Sequence, residues 1–134
     1  MKANELQIGD YVNYRGQIIK VTSLYDKGGS NEVGWSNKEI VWVNGRCIEP
    51  IPLTPEILEK NGFEKQWQDN YEYSDDDENL NMTFFPKSSN YTNGAYDYID
   101  IEKGCMTINE MPIEFVHELQ HALRLCGIEK EIIL

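Results

Sequence analysis

The sequence predicts an α+β fold: an N-terminal SH3-like β-barrel over residues 1–50, followed over residues 51–134 by a short helix, a small antiparallel sheet and a C-terminal helix. Three observations lead there. Residues 1–50 alternate β-branched and aromatic runs with Gly-containing turns, the composition of short strands. A stiff connector follows, Pro50-Ile51-Pro52-Leu53, in which proline fixes φ and removes amide donors. The best helical period comes near the C-terminus. Strands and helices therefore segregate rather than alternate, which favours α+β over α/β.

In the first half, residues 6–14 and 17–24 read as strands, with Gly9-Asp10 and Arg15-Gly16 supplying turns. Lys27-Gly28-Gly29-Ser30-Asn31 reads as a flexible loop. Residues 39–43 and 46–48 flank Asn44-Gly45. Asn-Gly between apolar runs is the strongest short hairpin signal, because both residues tolerate positive φ. Beyond the connector, Thr54 has the character of an N-cap and Pro55 suits the first helical position. Ile57 and Leu58 give this helix an apolar face, and Gly62 ends it with a left-handed cap. Four strands are expected next, over residues 64–73, 80–85, 95–101 and 105–108. Residues 74–79 form an acidic hairpin loop, and Glu102-Lys103-Gly104 a short turn. The last helix opens at Pro112 or Ile113, runs to about Leu125 and closes at Gly127. Residues 128–134 are a final strand or a loose tail.

The chain has 134 residues, about one domain's length. It carries 12 Lys+Arg against 23 Asp+Glu, a net charge of −11. A protein that tracks phosphates needs a basic stripe, so this balance argues against general nucleic-acid binding and against an anionic membrane surface. The imbalance is local. Residues 1–50 hold six basic and six acidic side chains, and residues 51–134 six and seventeen. Nucleic-acid binding is thus unlikely for residues 51–134, while the barrel region stays neutral. The start shows no apolar signal segment and no run is long enough to span a membrane, so a cytoplasmic location is expected. Cys47, Cys105 and Cys126 are odd in number and widely spaced, which suggests reduced thiols. Cys126 falls on an apolar helix face. The sequons at Asn81 and Asn90 mean little without secretion.

One motif looks like chemistry. His117-Glu118-Leu119-Gln120-His121 matches the H-E-x-x-H pattern of zinc proteases, and it holds both histidines of the chain. Histidines at i and i+4 share a helix face and can share a zinc ion, with the intervening Glu placed to activate bound water. His117 and His121 are thus the candidate metal ligands, and Glu118 the candidate catalytic residue. Three points weigh against this. A catalytic zinc takes three protein ligands, and only thirteen residues follow His121. On a helical wheel both histidines lie with Glu114, Glu118 and Arg124 opposite the Phe115, Val116, Leu119, Ala122, Leu123, Cys126 face, which reads as a solvated polar face. A protease cleft also needs two sizeable lobes.

The acidic run Asp75-Asp76-Asp77-Glu78 is a candidate binding patch for a cation or a basic partner. It lacks the alternating spacing and glycine of a calcium loop, and such a run also deters edge-to-edge strand pairing. Gly28-Gly29-Ser30 is too short and wrongly placed for a phosphate loop.

Two further stretches carry a resemblance. Residues 48–63, containing Pro50-Ile51-Pro52-Leu53-Thr54 and ending Gly62-Phe63, resemble a PIPLT-E-x-L-x-x-x-GF segment. Val116-His117-Glu118-Leu119-Gln120 resembles a C-terminal VHxLQ helix, and Glu5-Leu6-Gln7-Ile8-Gly9 an ELxIGN start. These belong to uncharacterised small proteins of gut anaerobes of the Bacteroides type and their phages or mobile elements. In that group Val-His and Leu-Gln are the usual features, and positions equivalent to Glu118 and His121 vary among polar types. The resemblance implies no activity, catalytic residue or cofactor.

The reading favoured by the sequence is a non-enzymatic accessory or protein-interaction protein with no cofactor, encoded by a phage or mobile element, meeting a partner with a basic surface. The alternatives are a zinc-dependent hydrolase using His117, His121 and Glu118, and nucleic-acid binding through the N-terminal barrel.

Overall fold

The computed structural model describes residues 1, 5–27, 30–35, 41–88 and 94–134. Gly28-Gly29, the start of the expected 39–43 strand and the Asn90 sequon lie outside the described residues. The chain divides into two compact units. One is Met1–Pro52 with Phe115–His121, the other Leu53–Glu114 with Ala122–Leu134. The sequence boundary after residue 50 follows chain order, so it has no place for a segment that returns to the first unit.

In the first unit, β1 (Tyr11–Tyr14) and β2 (Gln17–Lys20) form an antiparallel hairpin. Its turn has Arg15 at φ 50° and Gly16 at φ 82°, the left-handed pair that matches strand twist. Asn13 Oδ1 accepts the Gly16 N–H at 2.7 Å. β6 (Ile48–Glu49) pairs with the other edge of β1. β3 (Ser23–Lys27), β4 (Ser30–Trp35) and β5 (Val41–Asn44) make a second antiparallel sheet. Among the described residues the strands pair as β2-β1-β6 and β3-β4-β5, and no closed barrel is formed. Val21 and Thr22 link the two ladders. Gly9 N–H donates to Val21 O, Val21 N–H to Asp10 O, and Thr22 N–H to Gly34 O. Leu6, Val12, Ile19, Val21, Val33 and Ile48 form this unit's core. Val12 and Ile19 face each other across β1–β2, while Ile18, one residue away, is exposed.

Two expectations fail here. The first strand begins at Tyr11 rather than residue 6, because Gly9 turns the chain at φ 95°. Asn44-Gly45 is not a hairpin turn. Asn44 has φ −64° and its side chain accepts the Arg46 N–H at 2.9 Å, capping a short 3₁₀ helix over Gly45–Cys47. The strands on either side then go to different partners, β5 to β4 and β6 to β1.

The second unit follows the expected order closely. α1 (Pro55–Lys60) has Thr54 Oγ1 accepting the Ile57 N–H, Pro55 in its first turn and Gly62 beyond its end at φ 87°. β7 (Glu64–Lys65), β8 (Tyr71–Asp75), β9 (Leu80–Phe85), β10 (Tyr98–Lys103) and β11 (Met106–Pro112) run as an antiparallel meander, with order β11-β10-β9-β8-β7. Leu80, Met82 and Phe84 alternate inward on β9. Residues 64–73 split into two strands because Gln68 and Asp69 adopt φ 74° and 62°, and Gln66 N–H closes the turn on Asn70 O. α2 (Val116–Leu125) gives its last residues to this unit, and Gly127 follows it at φ 72°. Residues 128–134 are not a strand. Asn61, almost wholly buried, donates through Nδ2 to Ile57 O and Ile133 O and accepts the Ile133 N–H. No helix among the described residues is long and apolar enough to cross a membrane.

Replacing Asn61 by Ala removes these bonds and leaves the Ile133 amide without them. We expect a loss of about 1–3 kcal/mol, read as a lower urea midpoint at constant slope. An unchanged midpoint would show that the tail is not held by this amide.

Candidate functional site

The segment Phe115–His121 is held in the first unit from its backbone outward. Pro52 and Phe115 form an isolated antiparallel bridge, and Val116 N–H donates to Ile51 O at 2.9 Å. Phe115 N–H, the next orphan donor at the helix start, goes to Glu118 Oε2 at 3.0 Å. This is the returning half of a capping box, in which a carboxylate in the first turn also favours the positive end of the helix dipole. Glu118 therefore serves the helix that carries it.

The sequence reading places the polar side of α2 in water; the structure does not. His117 and Gln120 are buried, at 6% and 7% exposure. Gln120 Oε1 accepts the Tyr11 N–H at 2.9 Å, and its Nε2 donates to Gly9 O at 2.9 Å. One amide thus pairs with the backbone on both sides of Asp10, as a strand residue would. The Asp10 side chain is fully buried, and its Oδ2 accepts the Gln7 N–H and meets His121 Nε2, each at 2.7 Å. A buried carboxylate is tolerated when hydrogen bonds replace its water, and these two do so. His121 remains partly exposed, at 26% of its side chain. The partners lie 109 to 111 residues apart in the chain, so no local spacing announces them. Asp10 and Gln120 are the site residues that sequence reasoning misses.

These side chains edge a pocket of about 540 Å³, with His117, His121, Glu118, Phe115, Glu5 and Gln7 among its lining residues. The His117 ring lies parallel to Phe115, with centroids 5.9 Å apart, and edge-on to His121 at 5.5 Å. Its Nδ1 is buried without a hydrogen-bond partner. Burial holds the His117 pKa below its ordinary value, against the pull of Glu118, Asp10 and Glu5, while His121 pushes the same way as burial. His117 is thus a neutral imidazole in an acidic surrounding.

As chemistry, the arrangement orients His121 through Asp10. A hydrolytic site also needs a nucleophile or metal, and donors for the developing oxyanion. The lining residues include no Ser, Thr, Cys, Lys or Arg. Among the described residues, no three His, Cys, Asp or Glu side chains converge as metal ligands. The structure brings His117, Glu118 and His121 together at one pocket, with Glu118 bound to the helix start and His121 to Asp10.

The acidic run is placed elsewhere, on the β8–β9 hairpin of the second unit. Asp75 Oδ1 accepts the Asp77 and Glu78 N–H groups at 3.1 and 3.2 Å, so it caps its own turn. Glu78 pairs with Lys103 at 3.3 Å, and Asp76 and Asp77 are exposed. Cys126 is buried, which raises its thiol pKa; Cys47 and Cys105 are exposed, and all three are free. Comparison with family models, curated proteins and solved structures finds no match to this chain.

Two outcomes are expected. Gln120→Ala should lose about 1–3 kcal/mol and Glu118→Gln much less, since a Gln oxygen can still accept the Phe115 amide. Equal losses in urea melts would contradict the division of roles. Because the folded state holds His117 below its ordinary value of 6.5, the unfolded chain takes up this proton first. The contribution of His117 to stability is therefore complete above about pH 6.5 and falls as the pH drops toward the folded value. His117→Gln should flatten that part of the stability–pH curve, leaving the contributions of Asp10, Glu5, Glu118 and His121. A curve of unchanged shape would refute the assignment.

Proposed function

We propose that this chain is a non-enzymatic accessory or interaction protein, in which the His117–His121 segment is a docking element that completes the first unit. One observation supports this above the others: the polar side chains of the motif are bonded within that unit. Gln120 is joined to Gly9 and Tyr11, His121 to Asp10, and Glu118 to the Phe115 amide. A zinc hydrolase would need His121 Nε2 or Nδ1, His117 and a third ligand directed at one point, and the Glu free to work on water.

In this reading the first unit follows an SH3-like plan: short strands in two ladders, bent one into the other at Val21–Thr22. Such modules serve chiefly to present a binding face. The partner carries a basic surface, suited to a chain of net charge −11. A cytoplasmic setting and a phage or mobile-element origin belong to the same proposal; they rest on the free cysteines and on the resemblance of the Pro50–Thr54, Val116–Gln120 and Glu5–Gly9 stretches to that group.

The test is zinc. Protein purified in zinc-supplemented buffer should retain no stoichiometric metal after desalting, and a chelator should leave its melting temperature unchanged. One zinc per chain, lost in both His117→Ala and His121→Ala, would replace this proposal with the hydrolase.

A further inference from the structure

We infer that the pocket beside α2 receives an arginine side chain of a partner protein, its guanidinium lying along the Phe115–His117 rings and its charge met by Glu5 and Glu118. The inference rests on the interaction reading above and names the group that is recognised.

Charge is the first argument. Glu5 and Glu118 line the pocket, Asp10 lies behind His121, and no described lining residue is Lys or Arg. All three carboxylates act on His117, so their field reaches the pocket wall. An anion finds no equivalent. The helix start that could hold one has given its Phe115 N–H to Glu118 and its Val116 N–H to Ile51 O.

Shape and surface are the second argument. The Phe115 and His117 rings are nearly parallel, at 10°, and Pro50 adds a further apolar wall. A guanidinium is flat, weakly hydrated and stacks on aromatic faces while its edge donates to carboxylates; an ammonium is compact and strongly hydrated. About 540 Å³ is ample for one such side chain.

His117 is the third. It is more than nine-tenths buried, yet it lines the pocket and leaves Nδ1 unpaired. An apolar residue would fill that wall without an unsatisfied nitrogen. A neutral imidazole offers a polar, polarisable face to a cation without repelling it. A lysine or arginine at position 117 would close the pocket to any cation.

The experiment titrates the full chain with N-acetyl-arginine amide, N-acetyl-lysine amide and N-acetyl-citrulline amide, following the ring resonances of His117 and His121 by NMR. Saturable shifts with the arginine probe are expected. The neutral citrulline isostere should bind at least about tenfold more weakly, and the lysine probe more weakly than arginine. Glu5→Gln, at an exposed position, and Glu118→Gln, which keeps an acceptor for the helix start, should each weaken the arginine probe with the melting temperature retained. Absence of saturable shifts in zinc-free protein overturns the arginine pocket and leaves the interaction reading standing. Equal binding of citrulline overturns the charge argument and the proposal with it. Equal binding of lysine overturns the guanidinium assignment. A zinc ion held by both histidines overturns this inference together with the reading it rests on.

Discussion

The first unit depends on one primary amide. Gln120 supplies the hydrogen bonds that β1 would otherwise have to find at its start, accepting from Tyr11 and donating to Gly9. Between these two bonds sits Asp10, whose carboxylate is fully buried and bonded to Gln7 and His121. Loss of the amide would uncover backbone groups and disturb the wall around a buried charge at once. Unsatisfied groups in a dry setting are among the most expensive defects a fold can carry. Asn61 does the same work in the second unit, tying Ile57 and Ile133 through a single side chain. Both units thus use an amide in place of a strand partner where the chain is irregular.

That device explains why the H-E-x-x-H pattern misleads. The spacing of the motif is set by the helix, and any helix that must dock polar groups on one face will use positions i, i+3 and i+4. Here position i is a buried ring, i+3 the clamping amide and i+4 the partner of Asp10. A metal site and a backbone clamp demand the same periodicity. They differ in what stands opposite, and that lies more than a hundred residues away.

Legibility in the sequence follows the same division. Features set by near neighbours are readable: the Thr54 cap and Pro55 start of α1, the Arg15-Gly16 turn, the alternating β9 and the Gly127 stop. The Asn44-Gly45 hairpin fails because the next strand finds a better partner in β1, and Asn44 turns its side chain to Arg46 instead. The polar face of α2 fails for the same reason. Its wheel pattern is that of a solvated surface, and only long-range bonds to Gly9, Asp10 and Tyr11 turn it into an interior one. Of the pocket, the sequence shows His117, Glu118 and His121; Asp10 and Gln120 carry no signal beyond ordinary polar residues.

The split membership of α2 has a consequence for synthesis. Phe115–His121 belongs with Met1–Pro52, and Leu53–Glu114 lies between them in the chain. A ribosome delivers the second unit's five-stranded meander before it delivers the residues that finish the first. Until then Gly9, Asp10 and Tyr11 lack their partners, and closing so long a loop is entropically slow. The earliest segment to emerge is therefore the last to become complete, and the nascent chain must keep a half-built sheet soluble while its remaining residues are translated.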